Sequence, residues 1–240
     1  MHMKGRKNVY WLTVLLVGAV LTGLCHIGSR TASVMAQKDR NERRWVIVID
    51  AGHGGLDGGA TSCTGKLESG YNLEISLRLR DLLHLLGRRT RMIRTTDTSV
   101  YTSGDTIAGQ KMSDLKERVR IANEHPQSLL ISIHQNNFTD SRYNGAQIFY
   151  ARTGGSRELA ELLQSSFVRS LNPDSNRRCK KAEGIYLMEH IQCPGVLVEC
   201  GFLSNPAEEA KLRSTHYQQK ICCVIAAEVC GFLNGKYTNT

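Results

Sequence analysis

The sequence predicts an α/β fold: a single domain on a mostly parallel (mixed) sheet flanked by helices. Two observations carry that expectation. Short β-branched apolar runs of strand length stop at polar residues, and between them apolar side chains recur at helical spacing. Strands that alternate with helices bury a sheet on both faces, the packing that parallel sheets require.

In chain order, Trp45-Val46-Ile47-Val48-Ile49 is the first strand, halted at Asp50 by the glycine-rich residues 51–60. Residues 72–86 follow as a helix, with Ile75, Leu79, Leu82, Leu83 and Leu86 on one face and Gly87 as its C-terminal cap. Residues 90–94 read as a strand and residues 95–112 as a long loop. Ser113 then caps a helix running through Leu115, Val119 and Ala122 to Asn123. Leu129-Leu130-Ile131-Ser132-Ile133 is a buried strand that ends at His134. Residues 146–150 form a strand, 156–171 a helix, 184–188 a strand, and Val196-Leu197-Val198 a strand ending at Glu199. Asn205-Pro206-Ala207-Glu208 has the marks of a helix start: a capping side chain, proline at the first position and an acid at the third. A last helix spans residues 216–232.

The formal charge of +9 divides unevenly. Residues 1–36 contain Lys4, Arg6, Lys7 and Arg30 and no acid, so the rest of the chain carries a mild positive excess. Such an excess suits an anionic polymer such as a cell wall, a membrane surface or nucleic acid, and does not choose among them. The basic flank precedes an apolar stretch from Val9 to Leu24, which reads as an export segment. Both a cleaved signal peptide, cut after Ala36, and an uncleaved membrane anchor fit its length. Cys25 lacks the small residue before it that a lipid-anchor site needs. The chain thus divides into residues 1–36 as signal or anchor, 37–44 as linker and 45–240 as the folded domain, exported and extracytoplasmic. Seven of the eight cysteines lie in that domain without a C-x-x-C pair, and are expected to be mostly free, buried thiols.

Three polar residues sit where apolar strands stop: His53, His134 and Glu199. Ligands of open α/β sheets bind outside the carboxyl ends of strands, so these three are placed to converge. Two imidazoles and a carboxylate make a zinc set that leaves a position for water, and a second carboxylate must then move the proton. Asp50, Asp57, Glu68, Glu74 and Glu199 are all available, and spacing alone does not say which binds metal and which acts as base. No H-E-x-x-H helix is present.

From about Arg44 to Asn234 the chain resembles the zinc-dependent N-acetylmuramoyl-L-alanine amidases of the amidase-3 type. Residues 49–60, Ile-Asp-Ala-Gly-His-Gly-Gly-Leu-Asp-Gly-Gly-Ala, resemble the family's first metal-binding loop. Glu68, four residues before Asn72-Leu73, corresponds to its metal-binding glutamate. Ser132-Ile133-His134-Gln135-Asn136 is similar to its second histidine motif, and residues 198–205 to its catalytic glutamate motif. Arg94, Asp97, Arg118 and Asn123 also fit the pattern. The resemblance implies a phosphorylase/hydrolase-like fold and cleavage of the amide between N-acetylmuramic acid and L-alanine of peptidoglycan. It implies one Zn2+ on His53, Glu68 and His134, with Glu199 as general base and then general acid. Gln135 and Asn137 depart from the small residues more usual there and are expected to narrow the cleft. Short length, the N-terminal segment and residues 112–123 are most similar to sporulation and germination-specific members, which prepare spore cortex. The small residues of 61–70 suggest an accessory protein that orders this loop and aids zinc binding. Two other readings stand beside this one: a zinc peptidase of the stem peptide, and a silent peptidoglycan-binding module on the same fold. Nucleic-acid binding lacks a motif and conflicts with the export segment.

Overall fold

The computed structural model describes residues 45–236. The signal or anchor and the linker expected over residues 1–44 lie outside these, and no helix among the described residues is long and apolar enough to cross a membrane. Six strands form one mixed sheet in the order β2-β1-β3-β6-β4-β5. They are β1 (Val46–Ala51), β2 (Arg89–Met92), β3 (Ser128–Asn136), β4 (Gln147–Tyr150), β5 (Lys180–Lys181) and β6 (Gly195–Phe202). All neighbours run parallel except β4 and β6. The helices are α1 (Glu68–Leu85), α2 (Ile107–Ala122), α3 (Ser156–Leu171), α4 (Tyr186–His190), α5 (Pro206–Arg213) and α6 (Thr215–Lys236).

The alternation of side chains across the sheet sorts them into two cores. Ile47, Ile49, Leu129, Ile131, Ile133, Val196 and Val198 face α1, α3 and α6, while Val46, Val48, Leu130 and Leu197 face α2 and α4. Ile75, Leu79 and Leu83 of α1 are fully buried against the first set. Each such aliphatic side chain contributes about 1.5–3 kcal/mol on burial. Both faces of the sheet are covered, as the parallel topology demands.

The structure corrects four local expectations. First, α1 begins at Glu68 rather than Asn72. Its leading N–H groups go to carbonyls of the glycine-rich loop, Glu68 N to Ala60 O (2.8 Å) and Ser69 N to Gly58 O (3.0 Å), so no capping side chain marks the start. Second, α2 begins at Ile107 and is capped by Thr106, whose hydroxyl accepts from Gly109 N at 3.1 Å. Ser113 lies inside that helix, and its hydroxyl receives the N–H groups of Thr102 and Ser103 instead. The first turns were hard to see because they do not pack: Ile107 and Met112 are exposed. Third, the strand expected over 184–188 is the short helix α4, and the strand, β5, comes earlier at the exposed edge. Fourth, β3 and β6 run on past His134 and Glu199, which pair across the ladder, with an irregularity between His134 and Asn136. The Asn205 cap holds, accepting from Ala207 N and Glu208 N. All seven described cysteines are free; Cys193, Cys200 and Cys222 are buried, while Cys63 and Cys223 are exposed.

At the carboxyl end of β1 the buried Asp50 meets Arg118 Nη1 at 2.5 Å and Ser132 Oγ at 2.6 Å. Arg118 also takes Asp114 at 2.5 Å and the carbonyls of Ala51 and His53. Burial alone would raise the Asp50 carboxyl, but Arg118, with His134 and Ser132, holds it below its ordinary value. Asp50 therefore stabilises the fold at neutral pH, and that contribution disappears as pH falls through its depressed folded value. Replacing Arg118 by methionine strands a buried carboxylate and should cost about 3–5 kcal/mol of stability, read as a lower denaturant midpoint with an unchanged slope.

Candidate metal and catalytic site

Four polar side chains gather where β1, β3 and β6 deliver their ends to the head of α1. His53 lies just past β1, His134 near the end of β3, Glu199 beside it on β6, and Glu68 opens α1. Glu68 Oε1 sits 3.0 Å from His134 Nδ1 and 3.4 Å from His53 Nε2. The two rings lie edge to face with centroids 4.9 Å apart. One donor atom from each of His53, Glu68 and His134 falls within 4.8 Å of the others, the spacing of a site able to hold a metal ion.

The surroundings fix each donor. His53 Nδ1 is 3.0 Å from Asp57 Oδ2, so the carboxylate accepts the Nδ1 proton and leaves Nε2 facing the cluster. Asn72, one turn beyond Glu68 on α1, donates to Glu68 Oε1 at 3.2 Å and to Gly52 O at 3.1 Å. The N–H of Gln135 reaches the same oxygen at 3.1 Å, and that of Ala60 reaches Oε2 at 3.0 Å. His53 adopts φ 60°, a left-handed conformation uncommon outside glycine. A side chain at Gly52 would place its Cβ 2.2 Å from His134 Nε2, and one at Gly59 (φ 69°) 2.7 Å from Glu68 Oε2. Both positions require glycine for the cluster to close.

Electrostatics follow from this crowding. Burial opposes charge on His53, yet Glu68 and Asp57 outweigh it and push its pKa up to about 9. Burial would raise the Glu68 carboxyl, but His134 and His53 hold it far below the usual carboxylate range. His53 and Glu68 thus stabilise each other's charged forms. Glu199 behaves in the opposite way: burial pushes it up to about 7, opposed by the two imidazoles. Its Oε2 is enclosed and has no hydrogen-bond partner among the described residues. A buried, unpartnered carboxyl oxygen is an uncommon feature and points to a ligand or a reacting proton.

The geometry sorts the carboxylates that spacing left open. Asp50 is consumed by Arg118 and Ser132, Asp57 by His53, and Glu74 lies away from the cluster, bonded to Lys66 at 2.6 Å. Of these five acids, Glu68 is the one shared by both imidazoles and Glu199 the one with an unpartnered buried oxygen. Arg94 and Arg118 are framework: Arg94 donates to the carbonyls of Ala51, Gly52, Ser69 and Thr96. Asp97 accepts from Gly55 N, and Asn123 links the end of α2 to the segment after α4. Gln135 does not narrow the cleft; it is buried behind Glu68, with Nε2 donating to Asn72 at 3.2 Å, and Asn137 is exposed. The roles of Asn72 and Asp57 were not read from sequence, although Asn72 stands four residues from Glu68 on one helical face.

The profile of the Amidase_3 family, described as N-acetylmuramoyl-L-alanine amidase, matches residues 47–230. The germination-specific N-acetylmuramoyl-L-alanine amidase of Bacillus subtilis is 37% identical over 223 residues, 92% of this chain and 93% of that protein. The CwlD amidase from Clostridioides difficile, solved in complex with the GerS lipoprotein, matches at TM-score 0.75 and 36% identity over 78% of this chain and 98% of that one. An N-acetylmuramoyl-L-alanine amidase from Clostridium difficile 630 matches at TM-score 0.70 and 31% identity, covering 81% and 99%. Shared motifs, shared fold and a matching family profile agree, and the chain belongs to the amidase-3 family of N-acetylmuramoyl-L-alanine amidases, enzymes that hydrolyse an amide bond of peptidoglycan.

Proposed function

We propose that this amidase works with one zinc ion held by His53, Glu68 and His134, and with Glu199 as its general base and acid. The observation that carries the reading is the convergence of two imidazole nitrogens on Glu68 Oε1 beside the unpartnered Oε2 of Glu199. The donor set fits zinc: two neutral nitrogens and one carboxylate oxygen, with a carboxylate behind the first imidazole. Zinc in that set supplies a Lewis acid that polarises the scissile carbonyl and acidifies water.

The chain's own residues then handle the proton. Glu199 takes it from the attacking water and delivers it to the leaving nitrogen of L-alanine. A carboxyl whose pKa lies near neutrality does both without a large penalty in either direction. Glu68, already committed to three donors and two imidazoles, is unsuited to that task.

The finer assignments rest on likeness and on sequence. The germination-specific relative supports action on spore cortex peptidoglycan during sporulation. The basic and apolar N-terminal residues support an exported, extracytoplasmic enzyme with membrane contact, residues 1–36 being a signal or anchor ahead of a catalytic domain from residue 45. The relative solved with a lipoprotein supports an accessory protein that aids zinc binding.

Glu199→Gln should retain zinc by elemental analysis while kcat falls at least about a hundredfold; full activity would remove Glu199 from the mechanism. His53→Ala or His134→Ala should emerge without zinc, and Asp57→Asn should weaken zinc affinity about 10–100-fold. Activity should need the Glu199 carboxylate, so kcat/KM should fall as pH drops through its pKa. That limb should lie below 7 in the zinc-loaded enzyme, since a nearby cation favours the charged form. Muropeptide analysis of digested cortex should show free L-alanine amino groups and peptide-free muramic acid; cleavage within the stem peptide would identify a peptidase instead.

A further inference from the structure

A second feature lies at the far edge of the sheet. Between α3 and the segment leading into β5 is a cavity of about 630 Å³, lined by Tyr150, Arg157, Gln164, Arg169, Arg177 and Arg178 among others. Its one carboxylate, Glu161, is paired with Arg157 at 2.8 Å. Arg169 donates to Ser166, which in turn donates to Glu228. Arg178 has no side-chain partner among the described residues, and exposed Lys180 and Lys181 continue the basic run along β5.

Lysines on an edge strand discourage pairing with other chains, which accounts for Lys180 and Lys181. It does not account for arginines that line a concavity from a helix on one side and a loop on the other. Arg177 also ties the lining of this cavity to β4 and β6. Its guanidinium donates to Asn144 O at 3.0 Å and to Gln147 Oε1 at 3.4 Å, and lies 4.9 Å over the ring of Phe202. Gln147 is the ladder partner of Glu199. The arginines thus begin one strand away from Glu199 across the sheet.

We infer that this cavity is a second, non-catalytic site that binds anionic groups of the wall polymer while another part of it is cut at Glu199. Arginine forks suit carboxylates and phosphates alike, so the groups are stem-peptide carboxylates or phosphodiesters of attached wall polymers. The inference rests on the peptidoglycan-amidase reading. The full-length, zinc-loaded protein is compared with Arg178→Glu and with Arg157→Gln/Arg178→Glu by co-sedimentation with sacculi, before and after removal of phosphate polymers. The double variant should lose about tenfold in sacculus affinity and most of the salt dependence of binding. KM on sacculi should rise, while kcat/KM on a single soluble disaccharide-peptide, too short to reach the cavity, stays at the wild-type value. Loss confined to untreated sacculi assigns phosphodiesters, and loss on both assigns carboxylates. Unchanged affinity on both, or an equal fall on the short substrate, overturns the second site. Wild-type cleavage of the short substrate tests the amidase reading separately.

Discussion

The ion pair between Asp50 and Arg118 is the constraint on which the rest depends. It stands at the end of the interior strand β1, joins that strand to β3 through Ser132 and to α2 through Arg118, and leaves no charge there unpaired. Beyond it the chain turns into a loop with little regular structure, whose carbonyls need donors from other elements. Arg118 and Arg94 supply those donors at Ala51, Gly52 and His53. Two buried arginines thus take the place of a ladder and allow a glycine-rich loop to hold one backbone shape. That shape carries His53, and the strain of its left-handed backbone is tolerated because the surrounding hydrogen bonds determine it.

Most of the sheet was legible because its strands are apolar, β-branched and central. Buried strands state their identity in composition, and Ile47, Leu129 and Val198 needed no context to be read. The parts that were not legible are those whose hydrogen bonds come from far along the chain. The head of α1 is held by loop carbonyls rather than by a capping side chain, and at α2 the Thr106 cap is followed by exposed turns with no buried apolar pattern to mark them. β5 is two residues of lysine at an edge, where no hydrophobic pattern exists to find.

The site shows the same division. His53, His134 and Glu199 stand out in the sequence at or just past the ends of apolar runs. Choosing between Glu68 and the other acids required the resemblance, since a carboxylate's role depends on what surrounds it, and those neighbours come from four separate segments. The structure shows what those neighbours are. Asp50, Asp57 and Glu74 each have a cation or imidazole of their own, Glu68 is shared by two imidazoles, and Glu199 has one oxygen with no partner. An acid satisfied by the fold holds a shape; an acid left unsatisfied is available for work.

The free thiols have a consequence of their own. Cys193, Cys200 and Cys222 fill space in the two cores as small apolar groups, and none of the seven described cysteines is cross-linked. The described fold therefore rests on packing and hydrogen bonds alone, and no bridge has to form before these contacts are made.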